Sequence, residues 1–296
     1  MQDTRLESNQ KRLLKTYCDG GFGNRLNGLL TGMVIAELYD MALEVIWPKN
    51  NWCGASFHDI FENLMNVAER ELKTYVPERG AYHYLMTEDH LQQGVSFISP
   101  LSIKTLEELG QTTHSSNKPI FLHTPLIPSY LPTDLIYKSI NKLHFNEEYS
   151  ARTEQFLEKN TLDNFYGIQI RKTDFGPHGA DDKNLFELIQ AAPAHRFFVC
   201  SDDREIEEKF KQLPNVVIYP KEAYVEKMKS GDWLDLTADF SGRVYPCNIN
   251  RNEASVRDAI VDLMILSHSQ IVRTSGSTFL SAALLLKAAR VSAQQQ

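Results

Sequence analysis

The chain has 296 residues, 42% of them hydrophobic and 23% charged, an ordinary globular mixture long enough for two domains. Its formal net charge of −7 argues against a nucleic-acid partner, which needs a basic face, but leaves room for a local basic pocket around one pyrophosphate. The cysteines, Cys18, Cys53, Cys200 and Cys247, form no C-x-x-C pair and have no histidine cluster at zinc-ligand spacing. They read as reduced thiols, with Cys18 and Cys200 as small buried hydrophobes in strand-like runs.

Residues 1–15 are polar and of mixed charge, without the apolar core of a secretory signal. No stretch approaches the roughly 20 apolar residues of a membrane span. The expectation is a cytoplasmic protein with no integral membrane segment. The first element is a strand over residues 13–18, running into Asp19-Gly20-Gly21-Phe22-Gly23-Asn24. A helix over 25–41 follows, with Leu26, Leu29, Leu30, Met33, Val34 and Leu38 at helical spacing. A strand over 42–47 ends at Pro48, completing a strand–glycine loop–helix–strand unit of the Rossmann kind.

Further strands are expected over 94–99 and 119–124, and a polar helix over 146–159. From there the pattern is regular. Strands over 165–171, 196–201, 215–219 and 270–274 alternate with helices over 183–191, 203–212, 253–267 and 278–290, which implies a parallel sheet with right-handed crossovers. The longest break, 221–251, is rich in Gly, Asp, Pro and Asn and reads as a functional loop. The expected fold class is α/β, with two Rossmann-like domains, residues 1–160 and 161–296. They would face a cleft that holds a ligand at the carboxyl ends of the strands.

Four places carry chemistry. In Gly20-Gly21-Phe22-Gly23-Asn24-Arg25, glycines let the backbone approach a ligand and the helix start offers N–H groups to an anion. The stretch is neither G-x-G-x-x-G nor a P-loop, and a plain tight turn explains it equally well. In Gly167-Ile168-Gln169-Ile170-Arg171-Lys172-Thr173-Asp174, a strand delivers Arg171 and Lys172 to its C-terminal end. Arginine's planar fork suits two pyrophosphate oxygens, and the plainer alternative is an ion pair with Asp174. Ser201-Asp202-Asp203 reads as an acidic metal site or as a helix cap, and capping is the stronger reading for Asp203. Finally, the helix over 253–267 is apolar almost all round, so Asp262 in its middle is costly unless paired. Guanine N1–H and N2–H would satisfy it, as would a salt bridge to Arg257 or Arg273. Ser275-Gly276-Ser277-Thr278 then opens a helix with anion-binding geometry, or simply caps it.

Taken in order, Gly-Gly-Phe-Gly-Asn-Arg-Leu, Gln-Ile-Arg-Lys-Thr-Asp, Phe-Val-Cys-Ser-Asp-Asp, Ala-Ser-Val-Arg-Asp-Ala-Ile-Val-Asp-Leu-Met-Ile-Leu-Ser and Thr-Ser-Gly-Ser-Thr resemble one superfamily. It is that of the fucosyltransferases of the α-1,6 and nodulation type, with more distant similarity to α-1,2- and protein O-fucosyltransferases. The resemblance is best from Tyr166 to Leu286; before that it rests on the glycine loop and its helix. It implies a GT-B architecture with an acceptor-side N-terminal domain and a donor-binding C-terminal domain. It also implies inverting transfer of fucose from GDP-fucose to a glycan or other hydroxyl acceptor, with no metal and no cofactor.

By the same resemblance Arg171 is the arginine contacting the diphosphate, with Lys172 beside it in place of a second arginine, and Asp262 contacts guanine. Ser277 and Thr278 surround the phosphates, with Ser275 a further donor-binding candidate, while Gly21, Gly23, Asn24 and Arg25 close the cleft from the other domain. Asp202 and Asp203 shape the site. Many relatives have histidine where this chain has Gln169, which can hydrogen-bond the donor but cannot carry charge. That departure keeps a second class open, a catalytically degenerate protein that binds a GDP-sugar or guanine nucleotide. Candidate general bases are His178, Asp181 and Asp182 in the loop 175–183, among which the sequence does not choose. Loops 50–56 and 221–251 are expected to shape the acceptor pocket. A nucleotide-dependent kinase is disfavoured by the missing P-loop.

Overall fold

A computed structural model describes residues 11–70, 84–87, 99–100, 104, 107, 119–173, 181–233, 236–238, 244–246, 248–272, 274 and 276–294. The first half contains β1 (Leu13–Tyr17), α1 (Phe22–Leu38), β2 (Ala42–Ile46), β3 (Val67–Ala68), β4 (Tyr84–Thr87), β5 (Ser99–Pro100), β6 (Ile120–His123), α2 (Thr133–Asn141) and α3 (Glu147–Lys159). The second contains β7 (Tyr166–Ile170), α4 (Asp182–Gln190), β8 (Phe197–Ser201), α5 (Arg204–Phe210), β9 (Val216–Val217), a β10–β11 hairpin (Leu236–Ala238 and Val244–Pro246), α6 (Glu253–His268), β12 (Gln270–Val272) and α7 (Thr278–Gln294). The strand–helix alternation read from the sequence thus becomes two α/β layers.

The N-terminal sheet has the order β3-β2-β1-β6-β4-β5. Its first four strands are mutually parallel, but β4 runs antiparallel to both β6 and β5, so this sheet is mixed. Of the strand expected over 94–99, only Ser99 lies among the described residues, in β5. The C-terminal sheet, β12-β7-β8-β9, is parallel throughout. Side chains alternate across β7: Ile168 and Ile170 join Ile189 of α4 and Phe210 of α5 in one apolar cluster. Gly167 and Gln169 face the other way. A Cβ on Gly167 would meet Ser269 Oγ at 2.0 Å and Leu266 of α6 at 2.9 Å, so only glycine lets α6 lie this close to the sheet.

α6 is buried almost all round, packed by α3, α7 and strands β7 and β8, as its apolar sequence requires. α7 packs on α6 and also returns to α1 and α2 in the first half. The main core accordingly runs through both layers, joining Cys18, Leu26 and Leu30 to Val256, Ile260 and Ala282. Among the described residues no helix is long and apolar enough to cross a membrane.

Two local differences from the sequence reading have plain causes. α1 begins at Phe22 rather than Arg25, because Phe22 anchors in an aromatic cluster with Trp47, Phe61 and Phe145 at centroid distances of 6.5, 6.3 and 6.4 Å. Gly23 and Asn24 therefore belong to the first helical turn rather than to a loop. α2 is an additional helix, short but amphipathic, with Ile136 and Ile140 buried.

Candidate functional site

After β1, Gly20 turns the chain at φ 79°, a left-handed conformation that favours glycine, and its N–H is held by Asp19 Oδ1 at 2.6 Å. Arg25, one turn into α1, is fully buried. Its Nε donates to the Gly20 carbonyl at 2.7 Å, Nη1 to the Pro48 carbonyl at 2.5 Å and Nη2 to Asn50 Oδ1 at 2.9 Å, with the guanidinium over Trp47. Arg25 thus ties the glycine turn to the segment after β2, and its charge does not reach the cleft described below.

Gly21 is the N-cap of α1, which has no side-chain cap and no acidic residue in its first turn. The next glycine touches the other half of the molecule: a Cβ on Gly23 would lie 2.6 Å from both Thr278 C and Phe279 N. The first turn of α1 therefore rests on the first turn of α7. Ser277 caps α7, its Oγ accepting from the N–H groups of Phe279 at 3.2 Å and Leu280 at 3.4 Å. Each helix start carries about half a positive charge, so two such ends meet here.

From the C-terminal sheet, β7 ends at Ile170 and delivers Arg171. Lys172 turns aside: its Nζ pairs with Asp182 Oδ1, which also receives Lys209 at 2.7 Å through Oδ2. Those two hydrogen-bonded lysines hold the Asp182 carboxyl down to about 2. Asp202 accepts the Lys172 backbone N–H at 2.8 Å and the Thr173 hydroxyl at 2.5 Å, so both its oxygens shape the turn behind Arg171. Asp203 caps α5 through the Glu205 N–H at 2.8 Å. Asp181 caps α4, accepting from the N–H groups of Lys183 at 3.1 Å and Asn184 at 3.2 Å, and is exposed. Among the described residues no group of three or more His, Cys, Asp or Glu side chains is arranged to hold a metal ion.

Asp262 is buried on α6, and Arg257 is not its partner. Arg257 pairs with Glu148 at the surface, and Arg273 lies outside the described residues. Instead Lys221, the first residue after Pro220, places its ammonium 2.6 Å from Asp262 Oδ2. Lys221 also bonds Glu207 Oε1 and donates to the Ser201 carbonyl at 2.6 Å. Among the described residues Asp262 Oδ1 has no partner, nor does Gln169 Oε1. Burial, with the Glu207 charge nearby, pushes the Asp262 carboxyl above the ordinary carboxylate range against the opposing pull of Lys221. Burial works against the Lys221 charge too, but Asp262 and Glu207 outweigh it and keep the ammonium protonated.

These elements converge on one cleft of about 470 Å³ between the two sheets, within the usual range for small-molecule sites. Of the residues singled out from sequence, Gly21, Gly23, Asn24, Gln169, Arg171, Asp202, Asp262, Ser277 and Thr278 line it. Arg25, Lys172 and Asp181 do not, for the reasons given, and His178 and Ser275 lie outside the described residues. One face of α6, Ser255, Val256, Ala259 and Asp262, forms a wall ending in the carboxylate. Trp52, Lys221, Tyr224 and Arg251 also line the cleft and were not singled out individually from sequence. Trp52 lies in the loop 50–56, while Lys221, Tyr224 and Arg251 lie in the break 221–251. Glu207 had a signal of its own, a carboxylate on the buried face of α5 beside Phe210.

The lining suits a ligand of two chemical characters. Arg171 and two helix starts favour an anion such as a diphosphate. An unpartnered carboxylate oxygen in a buried wall requires an N–H or O–H donor.

No protein-family model matches the sequence, and no curated protein matches it. Solved structures do match. The α-1,6-fucosyltransferase NodZ co-crystallised with GDP superposes at a TM-score of 0.58 with 16% identity, covering 93% of this chain and 92% of that one. Fucosyltransferase NodZ from Bradyrhizobium gives 0.56 at 16% identity over 93% of each chain. POFUT1 in complex with GDP-fucose gives 0.50 at 13% identity over 94% of each. At these identities the likeness is one of architecture: the chain has the two-domain α/β fold of the GT-B fucosyltransferases.

Proposed function

We propose that the chain is a glycosyltransferase that draws on a GDP-linked sugar, fucose from GDP-fucose, and passes it with inversion to a hydroxyl of a glycan or small acceptor without a metal. The observation that carries this reading is the convergence, in one cleft, of Arg171, the capped start of α7, the uncapped start of α1 and the unpartnered Asp262 Oδ1. A guanosine diphosphate offers what each of these groups needs. Its diphosphate meets the positive groups, and guanine N1–H and N2–H meet the carboxylate, where adenine presents a ring lone pair beside its amino group. The neighbours crystallised with GDP and GDP-fucose have the same fold.

In the reaction the acceptor oxygen attacks the anomeric carbon, the bond from that carbon to the diphosphate oxygen breaks, and the acceptor proton leaves to a base or to water. Negative charge grows on the departing diphosphate. Arg171 and the helix-start N–H groups face that charge, and being pre-positioned they stabilise it with little reorganisation. The neutral Gln169 on the cleft wall favours a second reading, a protein that binds GDP-sugars without turning them over.

Calorimetric titration with GDP, GDP-fucose, GDP-mannose, UDP and ADP, each with excess EDTA, tests the reading beside an Arg171→Ala variant. Guanine nucleotides should bind in preference, and the variant should lose roughly 10- to 150-fold in GDP affinity, the worth of charge-assisted hydrogen bonds. Equal binding of UDP or ADP refutes the guanine assignment. GDP-fucose that binds but releases no GDP with any acceptor selects the second reading.

A further inference from the structure

Beneath the cleft lies a closed hydrogen-bonded group that the diphosphate does not need. An ammonium has three N–H donors. Those of Lys221 meet the Ser201 carbonyl at 2.6 Å, Asp262 Oδ2 at 2.6 Å and Glu207 Oε1. No hydrogen remains for a phosphate, although Lys221 lines the cleft. Glu207 is completed in turn by the Ser201 N–H at 2.7 Å and the Tyr224 hydroxyl at 2.5 Å. The Lys221, Glu207 and Asp262 side chains are only 5%, 1% and 5% exposed. The group's one unpartnered carboxylate oxygen is Asp262 Oδ1.

We propose that Glu207 and Lys221 are positioning residues for base selectivity: Glu207 fixes Lys221, and Lys221 fixes the Asp262 carboxylate through Oδ2, which reserves the buried Oδ1 on the cleft wall for a donor of the base. The inference rests on the guanosine-diphosphate reading of the same site. Pinned through Oδ2, the carboxylate cannot rotate to avoid a base that turns a lone pair toward it. A wrong base therefore meets repulsion in a dry wall, and a base with a ring N–H beside a second donor meets an acceptor.

The groups facing Asp262 set how it titrates. Among the described residues they include Lys221 after β9, Glu207 on α5, the buried Cys200 thiol on β8, Tyr219, Tyr224, and Asp258 one turn earlier on α6, itself paired with Arg152 of α3 at 2.7 Å. Two carboxylates share one ammonium, so removing either partner moves Asp262 in opposite senses. Without Lys221, Asp262 and Glu207 confront each other and the Asp262 titration moves up. Without the Glu207 charge it moves down. Recognition of a ring N–H uses the ionised carboxylate, so preference for GDP over ADP rises as pH rises through that titration.

The test measures Kd for GDP and ADP from about pH 5.5 to 9 in the wild type, Glu207→Gln, Lys221→Met and the double variant. Lys221→Met should lose about tenfold or more of the GDP preference at neutral pH and regain part of it at high pH. Glu207→Gln should keep the preference with its midpoint shifted down, and the double variant should fall between the single ones. If Lys221→Met does not fold, the near-isosteric Glu207→Gln carries the test through its downward shift alone. A wild type that prefers GDP, with midpoints that stay put or move the same way in both variants, overturns the proposal and leaves the guanine reading intact. A wild type that does not distinguish GDP from ADP and UDP overturns both.

Discussion

Replacing Gly23 by alanine adds one methyl group at a close backbone contact between the two halves. Its carbon would lie 2.6 Å from Phe279 N, 2.6 Å from Thr278 C and 2.7 Å from Thr278 O. All three are backbone atoms at the start of α7, so no rotamer change relieves the clash. Relief needs α1 and α7 to separate by about 1 Å, and overpacking of this kind costs about 1–3 kcal/mol. Gly21, two residues earlier, is the control. Its added methyl would meet nothing within 4 Å, and its φ of −69° is ordinary for alanine. Gly21→Ala should be near neutral, since a gain of about 0.4–1 kcal/mol through the unfolded chain opposes the poorer fit of alanine at a helix N-cap. Urea unfolding of both variants measures the contrast, which should be about 1–3 kcal/mol with the slopes unchanged. Nucleotide titration adds a second axis: Gly21 lines the cleft, so its methyl should weaken GDP binding without loss of stability, whereas Gly23→Ala should lose both. Two variants that unfold within about 0.5 kcal/mol of each other would refute the close approach of the helix starts.

Arg25→Met should destabilise the fold by about 2–4 kcal/mol, because the Gly20 and Pro48 carbonyls and Asn50 lose their donor inside the protein. Urea unfolding reads this directly, and a variant of normal stability that loses only nucleotide binding would mean that Arg25 touches the ligand. Asp181→Ala removes an exposed helix cap and should cost about 1 kcal/mol of stability with GDP release from GDP-fucose unchanged. Collapse of turnover at normal GDP affinity would instead make Asp181 the acceptor's base.

What the sequence made legible were positions whose chemistry is local. Ser277 sits at a helix start, Arg171 at a strand end, and Asp262 is a charge on an otherwise apolar helix; each is informative from its immediate neighbours. The C-terminal alternation was legible for the same reason, since runs such as Phe197–Ser201 are apolar, strand-length and bounded by turns. Direction was not legible. Arg25 stands in the glycine motif as a ligand arginine would, and only the folded path of residues 48–50 turns it inward. Lys172 adjoins Arg171 yet faces Asp182, while the lysine that reaches the cleft wall, Lys221, lies in a loop without local periodicity. Lys221 was not among the partners weighed for Asp262, because a long-range ion pair leaves no mark in the spacing around either member. The antiparallel β4 and β5 depend on which edge β6 offers, a choice made by tertiary pairing rather than by the short strands themselves.

The return of α7 to α1 and α2 bears on how the protein is born. α7 is translated after every other described element, yet it covers apolar faces on helices made near the beginning. At about 5–20 residues per second, the early sheet and its helices must wait many seconds with that surface uncovered. Over that interval the nascent chain carries uncovered apolar surface of the kind that holdase-type chaperones bind. Completion of α7 closes both halves together, so the two layers should melt and refold as one cooperative body.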